Sequence, residues 1–397
     1  MSRIVVTGMG IISAIGDSVS ASRRALMDGK CGIGQLEFFE SKYAGLLPCA
    51  EIKIDNEILK KKLNAQQAGL TRTDLLALHA IEEAILDADL SRDMLCTSDT
   101  ALIGATTVGG MCLTDELYHD SNRPDNGSAY LSAYDCGSAF LFLQDRFQIG
   151  GIINTINTAC SSSANAIMYG ARLIQCGLAK RAIVGGTDSL AKFTINGFNA
   201  LRILSSEICR PFDQNRRGLN LGEGAAFLVL EDQALASQKK TYAELLSFCN
   251  TNDAFHPSSL SENGEGPFLA MTGALEMAGL APGDIDFINA HGTGTENNDE
   301  SESRAMRRVF GQPPAFASTK SNTGHSLGAA GAMEAIFSVL NLWHQEIYPS
   351  LHFSEAIAAT GLVPVTAYRS TPVRQVMSNS FGFGGNCSSL IFTTARA

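Results

Sequence analysis

The feature that most limits how this chain can fold is a repeated alternation. A short apolar run ends in glycines or other small residues, and a stretch with helical spacing follows. RIVVTGMG (3–10), TALIGATTVGG (100–110), RAIVGGTDSL (181–190) and GAAFLVLED (224–232) read as buried strands. TDLLALHAIEEAILDADL (73–90) places Leu75, Leu78, Ile81 and Ile85 on one helical face, and ANAIMYGARLIQCG (164–177) is a helix stopped at Gly177. A second series starts near residue 242. It contains the helix PFLAMTGALEMAGL (267–280), the strand and loop IDFINAHGTGT (285–295), the apolar helix GAAGAMEAIFSVLNLW (328–343) and the hairpin-like VRQVMSNSFGFGGNCSSLIF (373–392). Strands apolar on both faces need helices on both faces. The expectation is an α/β fold of two pseudo-duplicated halves, 1–240 and 241–397. Residues 117–150, with HDSNRPDNGSAY (119–130) as their loop, are the least regular part.

Composition narrows the function classes. Hydrophobic residues make up 45% and charged residues 18%, enough for a large core and too apolar for a disordered chain. The net charge of −10 argues against nucleic-acid binding, which favours a basic face. No run approaches 18 apolar residues, so no membrane span is expected. The first residues read as a strand and turn rather than an export signal. Ten cysteines without a CxxC pair then suggest reduced thiols in a cytoplasmic protein.

Four loops carry chemistry-bearing residues. Cys160 lies between a strand-like run and a helix, where the helix dipole favours thiolate, and small neighbours leave room for a substrate. A buried structural cysteine would look the same. His291 follows a strand in NAHGTGTENNDESE, with Asp299 and Glu302 three residues apart on one helix face. STKSNTGHSLGAAGAMEAI holds Lys320, His325 and Glu334; a lysine in so apolar a stretch needs a partner, and Glu334 is the best one. A satisfied core histidine is the plain alternative for either ring. SNSFGFGGNCSS brings Phe381 and Phe383 together with Gly382, Gly384 and Gly385, in a loop that can move and can offer backbone N–H groups to an oxyanion. It could equally be a turn between strands.

The order of these motifs, cysteine, HGTGT, KSNTGH and GFGG, together with VVTGMG, GGTDS, RPFDQNRRGLNLGEGAAFLVLE and NDAFH, resembles the β-ketoacyl-[acyl carrier protein] synthases. These are condensing enzymes of the thiolase superfamily, and two histidines match their Cys-His-His branch. The resemblance runs over nearly the whole chain. It implies a five-layered α-β-α-β-α thiolase-like fold and decarboxylative Claisen condensation of an acyl thioester with malonyl carried on acyl carrier protein. It makes Cys160 the nucleophile. The N–H groups of Cys160 and Phe381 become the oxyanion hole, with the Phe381 ring as gate. His291 and His325 become the pair that grips the malonyl thioester. Lys320, paired with Glu334, supports the His325 loop, and Asp299 and Glu302 lie behind HGT. Val108, Met111 and Phe383 are acyl-pocket candidates, the first two for the pocket of the partner subunit or of this one. Lys60, Lys61, Lys62 and Arg202 are candidate contacts for an acidic carrier protein. No metal or redox cofactor is implied, because loss of carbon dioxide drives the step; the carrier's phosphopantetheine is a substrate arm. The partners implied are the carrier and a second chain, as a homodimer or as a heterodimer with a chain-length subunit.

The chain departs from the family pattern in four places. Asn386-Cys387 replaces the usual Thr-Asn after GFGG, three serines follow Cys160, Arg-Gly-Pro is missing before it, and 117–150 is compressed. These departures point to a specialised synthase, of an aryl-polyene or other polyketide-like pathway. The competing readings are a non-elongating acyltransferase, a non-catalytic chain-length subunit, and a cysteine hydrolase using Cys160 with His291.

Overall fold

The computed structural model describes residues 3–114, 117–118, 128–236 and 239–395. Most of the irregular loop expected at 119–130 lies outside them. Among the described residues, ten strands join in one sheet: β1 (Ile4–Ser13), β2 (Thr100–Ala105), β3 (Ile153–Ile156), β4 (Arg181–Asp188), β5 (Gly224–Asp232), β6 (Ala243–Asn252), β7 (Phe287–Asn289), β8 (Ala315–Ala317), β9 (Gln375–Phe381) and β10 (Asn386–Thr394). Their spatial order is β3-β2-β4-β5-β1-β6-β10-β9-β7-β8. Within each half, the third, second, fourth, fifth and first strands follow one another from edge to centre. The second half is therefore the mirror of the first. Pairing repeats as well. β2 runs parallel to β3 and β4, and β5 antiparallel to β4 and β1. β7 runs parallel to β8 and β9, and β10 antiparallel to β9 and β6.

The halves meet where β1 and β6 pair over three residues, Ile4–Val6 against Ala243–Leu245. Seven helices matter below: α1 (Asn56–Lys62), α2 (Arg72–Asp87), α3 (Ser162–Gln175), α4 (Lys192–Ala200), α5 (Glu265–Ala278), α6 (Glu296–Phe310) and α7 (Ala330–His344). Helix α2 covers the outer face of the first half, and α5 that of the second, with α6 against it. Helices α3 and α7 pack on each other and on strands of both halves, which makes the middle layer of an α-β-α-β-α stack. That position explains why α7 is buried from Ala330 to Leu342. An all-apolar helix is stable in water only between two covering layers.

Local chemistry fits these placements. A capping box of Thr71 and Asp74 starts α2 and satisfies two free helix-end donors. Every residue of β1, β2 and β4 is buried. Gly10 lets α2 approach β1 closely, since a Cβ there would sit 2.0 Å from the Ala80 carbonyl. The expected helical face of α2 is present, with Leu75, Leu78, Ile81 and Ile85 all buried. Among the described residues no helix is long and apolar enough to cross a membrane.

The mirror symmetry also places the motifs. Cys160 follows β3, and Lys320 and His325 follow β8, which is its mirror strand. Each loop feeds a middle-layer helix, α3 or α7. The His291 loop leaves the neighbouring strand β7, and Phe381 ends β9.

Candidate active site

These loops converge on a cleft of about 330 Å³ lined by Cys160, His291, His325, Phe383, Thr293 and Thr295, among others. Cys160 sits in a tight turn. Ala159 before it has φ 53°, and Ser161 after it precedes the first turn of α3. Cys160 is 5% exposed. Its pKa is pushed up to about 11 by burial, against the Lys320 charge and a hydrogen bond from the Phe383 backbone N–H. This corrects the expectation of a thiolate favoured by the helix end. Desolvation of the anion outweighs the dipole for so buried a sulfur.

The donor at the sulfur also corrects the expected role of Phe381. The loop N–H that lowers the thiol's pKa belongs to Phe383. Phe381 is the last residue of β9, paired with Cys387, and its buried ring lies 5.7 Å from that of His291. The ladder holds its backbone, and its side chain also lines the cleft. Phe383 instead stands on the loop before Gly384 (φ 81°) and Gly385 (φ 82°), half-buried and stacked on Phe198 at 5.6 Å. The N–H that acts on the sulfur and the two glycines in the left-handed region both belong to the Phe383 loop.

The two histidines face each other edge to face, with ring centroids 5.5 Å apart. Lys320 Nζ donates to the Glu334 carboxylate, to the His291 carbonyl at 2.7 Å and to His291 Nδ1 at 3.3 Å. Three ammonium protons thus meet three acceptors. Because Nδ1 accepts, the proton of neutral His291 is on Nε2. His325 Nδ1 accepts the Leu327 N–H at 3.3 Å, which puts its proton on Nε2 as well. That Nε2 is buried without a protein partner. Burial first, then the Lys320 charge, hold both rings well below the usual imidazole pKa. The site therefore holds two neutral N–H donors. Lys320 pairs with Glu334 as expected; its ammonium grips His291 directly, and it bears on His325 through its charge and through its carbonyl, which accepts the Gly324 N–H.

Asp299 and Glu302 share the expected face of α6 and hold the loop of His291 from behind. Glu302 accepts the N–H groups of His291 and Gly292, both at 2.9 Å. Asp299 accepts those of Gly294 and Phe212, at 3.1 and 2.7 Å. Burial raises both carboxyls, Glu302 to about 7, and raises Glu334 too. A glutamine at 302 keeps one acceptor and turns an NH₂ toward the other N–H. Glu302→Gln should lower stability by about 1–3 kcal/mol and slow steps that need His291 more than acylation of Cys160. Thermal melts with separate assays of acylation and condensation check this.

Sequence reasoning missed Asp188, in GGTDS, as a site residue. Its carboxylate accepts from the Thr106 and Thr107 hydroxyls at 2.6 and 2.7 Å, and from the N–H groups of Val108 and Gly328 at 2.8 and 2.7 Å. It pins the loop of His325 to the end of β2. An aspartate ending a buried strand was the available signal.

Val108 and Met111 do not line the cleft of this chain. Val108 is buried in a cluster with Leu219 and Leu327, below the His325 loop. Lys60, Lys61 and Lys62, at the end of α1, are also absent from the cleft rim; Lys60 pairs with Glu57 and Lys62 with Asp17. Arg202 does line the cleft, joined by Arg217, which the sequence did not single out.

Residues 1–236 match the model for the β-ketoacyl synthase N-terminal domain, and residues 242–354 that for the C-terminal domain. The chain is 33% identical to the mitochondrial 3-oxoacyl-[acyl-carrier-protein] synthase of Arabidopsis thaliana, over 99% of this chain and 93% of that protein. It is also 33% identical to 3-oxoacyl-[acyl-carrier-protein] synthase 2 of Vibrio harveyi, over 98% of each. Among solved structures, the ishigamide ketosynthase/chain length factor matches with a TM-score of 0.91 and 30% identity over all of both chains.

Proposed function

The chain belongs to the β-ketoacyl synthase family, and from that premise we infer the work of its cleft: an acyl chain held on Cys160 is condensed with malonyl on acyl carrier protein. The observation that carries this is a pair of neutral imidazoles, each with its proton on Nε2, lining the same cleft as a buried thiol.

In the first half-reaction, Cys160 sulfur attacks the carbonyl of an acyl-carrier thioester. The N–H groups of Cys160 and Phe383 hold the tetrahedral oxyanion. The carrier's thiolate leaves and takes up the proton given up by Cys160, so one thioester replaces another. In the second, the malonyl thioester oxygen lies against the two Nε2–H groups. The C–C bond to the carboxylate breaks, carbon dioxide leaves, and the electron pair becomes an enolate held by both donors. The enolate carbon attacks the acyl-Cys160 carbonyl. The C–S bond then breaks, and the Cys160 thiolate takes a proton from solvent. Release of carbon dioxide drives the step, so the family needs no metal or redox cofactor. Lys320 serves as a positioning residue, since its charge disfavours a second cation on either ring. The hydroxyls of Thr293 and Thr295, lining the cleft, suit the amides of a phosphopantetheine arm. Phe383 is the gate, and Arg202 and Arg217 at the rim suit an acidic carrier.

The partners follow from the same reading: a carrier protein, and a second chain of this fold, either a copy or a chain length factor like that solved with the ishigamide ketosynthase. Division at residue 240 is supported by the mirrored strand order and by the separate matches of the two domain models. A cytoplasmic location is part of the proposal. The acyl substrate belongs to fatty acid or polyketide-like elongation, and we place it on the polyketide-like side because of the departures around Cys160 and Asn386.

The test is condensation of malonyl-carrier with a panel of acyl-carriers, read by product and by intact mass of the enzyme. Acyl mass on the protein together with β-ketoacyl product supports the reading. Acyl mass without product, even with homologous partner chains added, leaves only a transacylase. Free acid in place of product identifies a hydrolase.

A further inference from the structure

The two N–H groups of the oxyanion hole lie on separate elements from opposite halves of the chain, and one side chain ties those elements together. Asn386 follows Gly385 directly and opens β10. Its backbone carbonyl accepts the Gly382 N–H at 2.7 Å, which closes the loop carrying Phe383. Its side-chain Oδ1 reaches the other way. It accepts from the Ser161 hydroxyl at 2.7 Å, from Asn165 Nδ2 at 2.8 Å and from Asn250 Nδ2 at 2.7 Å. Ser161 is the residue after Cys160 and is fully buried, and Asn165 is one turn further along α3. Both also return to the turn before the nucleophile. The Ser161 hydroxyl lies 2.8 Å from the Thr158 carbonyl, and Asn165 Nδ2 donates to Thr158 Oγ1 at 2.7 Å. One amide oxygen therefore registers the turn 158–161 against the loop 382–385. A threonine at 386, as in the family pattern, has no carbonyl oxygen at that reach. The asparagine is thus a device of this chain.

We propose that Asn386 is a positioning residue for the oxyanion hole, its Oδ1 setting the separation between the Cys160 and Phe383 N–H groups. The proposal rests on the condensing reading above. Two donors stabilise one oxyanion only when both are held in place to within about 0.5 Å. Gly384 and Gly385 leave the loop free to move, and Asn386 is the fixed post at which each movement ends. The anchors of the histidines, which are Lys320, Glu302 and the Leu327 N–H, do not involve it.

The experiment measures acyl-enzyme formation by rapid quench and intact mass, with malonyl-carrier decarboxylation and thermal melts in parallel. The proteins are wild type, Asn386→Ala, Ser161→Ala, the double variant and Asn386→Asp. Asn386→Ala should lower the maximal acylation rate about ten- to hundredfold, with the KM for acyl-carrier within about threefold and decarboxylation much less affected. Ser161→Ala should lower acylation in the same sense, and the double variant should be no slower than Asn386→Ala alone. Asn386→Asp keeps the acceptor in place and should recover most of the rate. If Asn386→Ala does not fold, Ser161→Ala at the other end of the bridge carries the test. Acylation at the wild-type rate in the variants overturns the proposal. So does a loss of acylation and decarboxylation together in step with the melting temperature, or an additive double variant. If wild type itself gains no acyl mass, the condensing reading fails and this proposal fails with it; failure in the variants alone leaves that reading standing.

Discussion

Cys160→Ala gains no acyl mass from any acyl-carrier and condenses at least about ten-thousand-fold more slowly than wild type. The loss is this large because the covalent intermediate has no other home. Among the described residues no second cysteine lines the cleft. Cys209 beneath it has its thiol pushed up to about 12 by burial, and Cys387 is raised further still. Malonyl-carrier decarboxylation should persist in the variant, because both Nε2–H donors and their anchors remain. The variant should therefore turn malonyl-carrier into acetyl-carrier without extending a chain. Intact mass and product analysis with malonyl-carrier alone check both halves of this expectation. Acyl mass retained in Cys160→Ala places the nucleophile elsewhere.

His325→Ala keeps the acyl-enzyme but loses condensation by about a thousandfold. Removing one preorganised donor from a developing oxyanion in a dry site costs about 10²–10³ in rate, and the second imidazole cannot reach both positions. Acylation should stay within about tenfold, since the Cys160 and Phe383 N–H groups are untouched. Single turnover on enzyme already acylated separates the two steps. The pH dependence follows from the same geometry. Both rings are held well below the usual imidazole pKa, so condensation by acylated enzyme should not titrate away through pH 6.5. Stability behaves in the opposite way. The unfolded chain takes up protons near pH 6.5 that the folded rings refuse. The stability their depressed pKa values contribute is thus present above about pH 6.5 and is lost as pH falls toward the folded values. His325→Ala should shrink that acid-side loss, which melts between pH 7.5 and 5.5 measure.

The chemistry-bearing groups were legible in the sequence because they lie in short contiguous motifs. Cys160, His291, Lys320 and His325 each follow a strand, and small residues around each mark a loop that can face a cleft. The duplicated α/β rhythm was legible too, since apolar periodicity reports burial on one or both faces. Asp299 and Glu302 could be assigned to one helix face from their spacing alone.

What was not legible depends on where separate loops meet. Phe381 and Phe383 differ by two residues, and local pattern does not tell which one the ladder locks and which the glycines free. Only the pairing of Phe381 with Cys387 separates them. The state of Cys160 was misread because a helix end is visible in sequence, while desolvation depends on what packs over the sulfur. Val108 fell into the core, and Lys60, Lys61 and Lys62 away from the cleft, because facing direction depends on neighbours far along the chain. Asp188 and Asn386 each join segments at least 80 residues apart. The sequence by itself determined the alternation of strands and helices and the set of reactive groups, because these depend on residues near one another in the chain. The tertiary structure alone decided the donor at the sulfur, the tautomers of both histidines and the bridge through Asn386. Each of these depends on distances between residues that the chain keeps far apart and the mirrored sheet brings together.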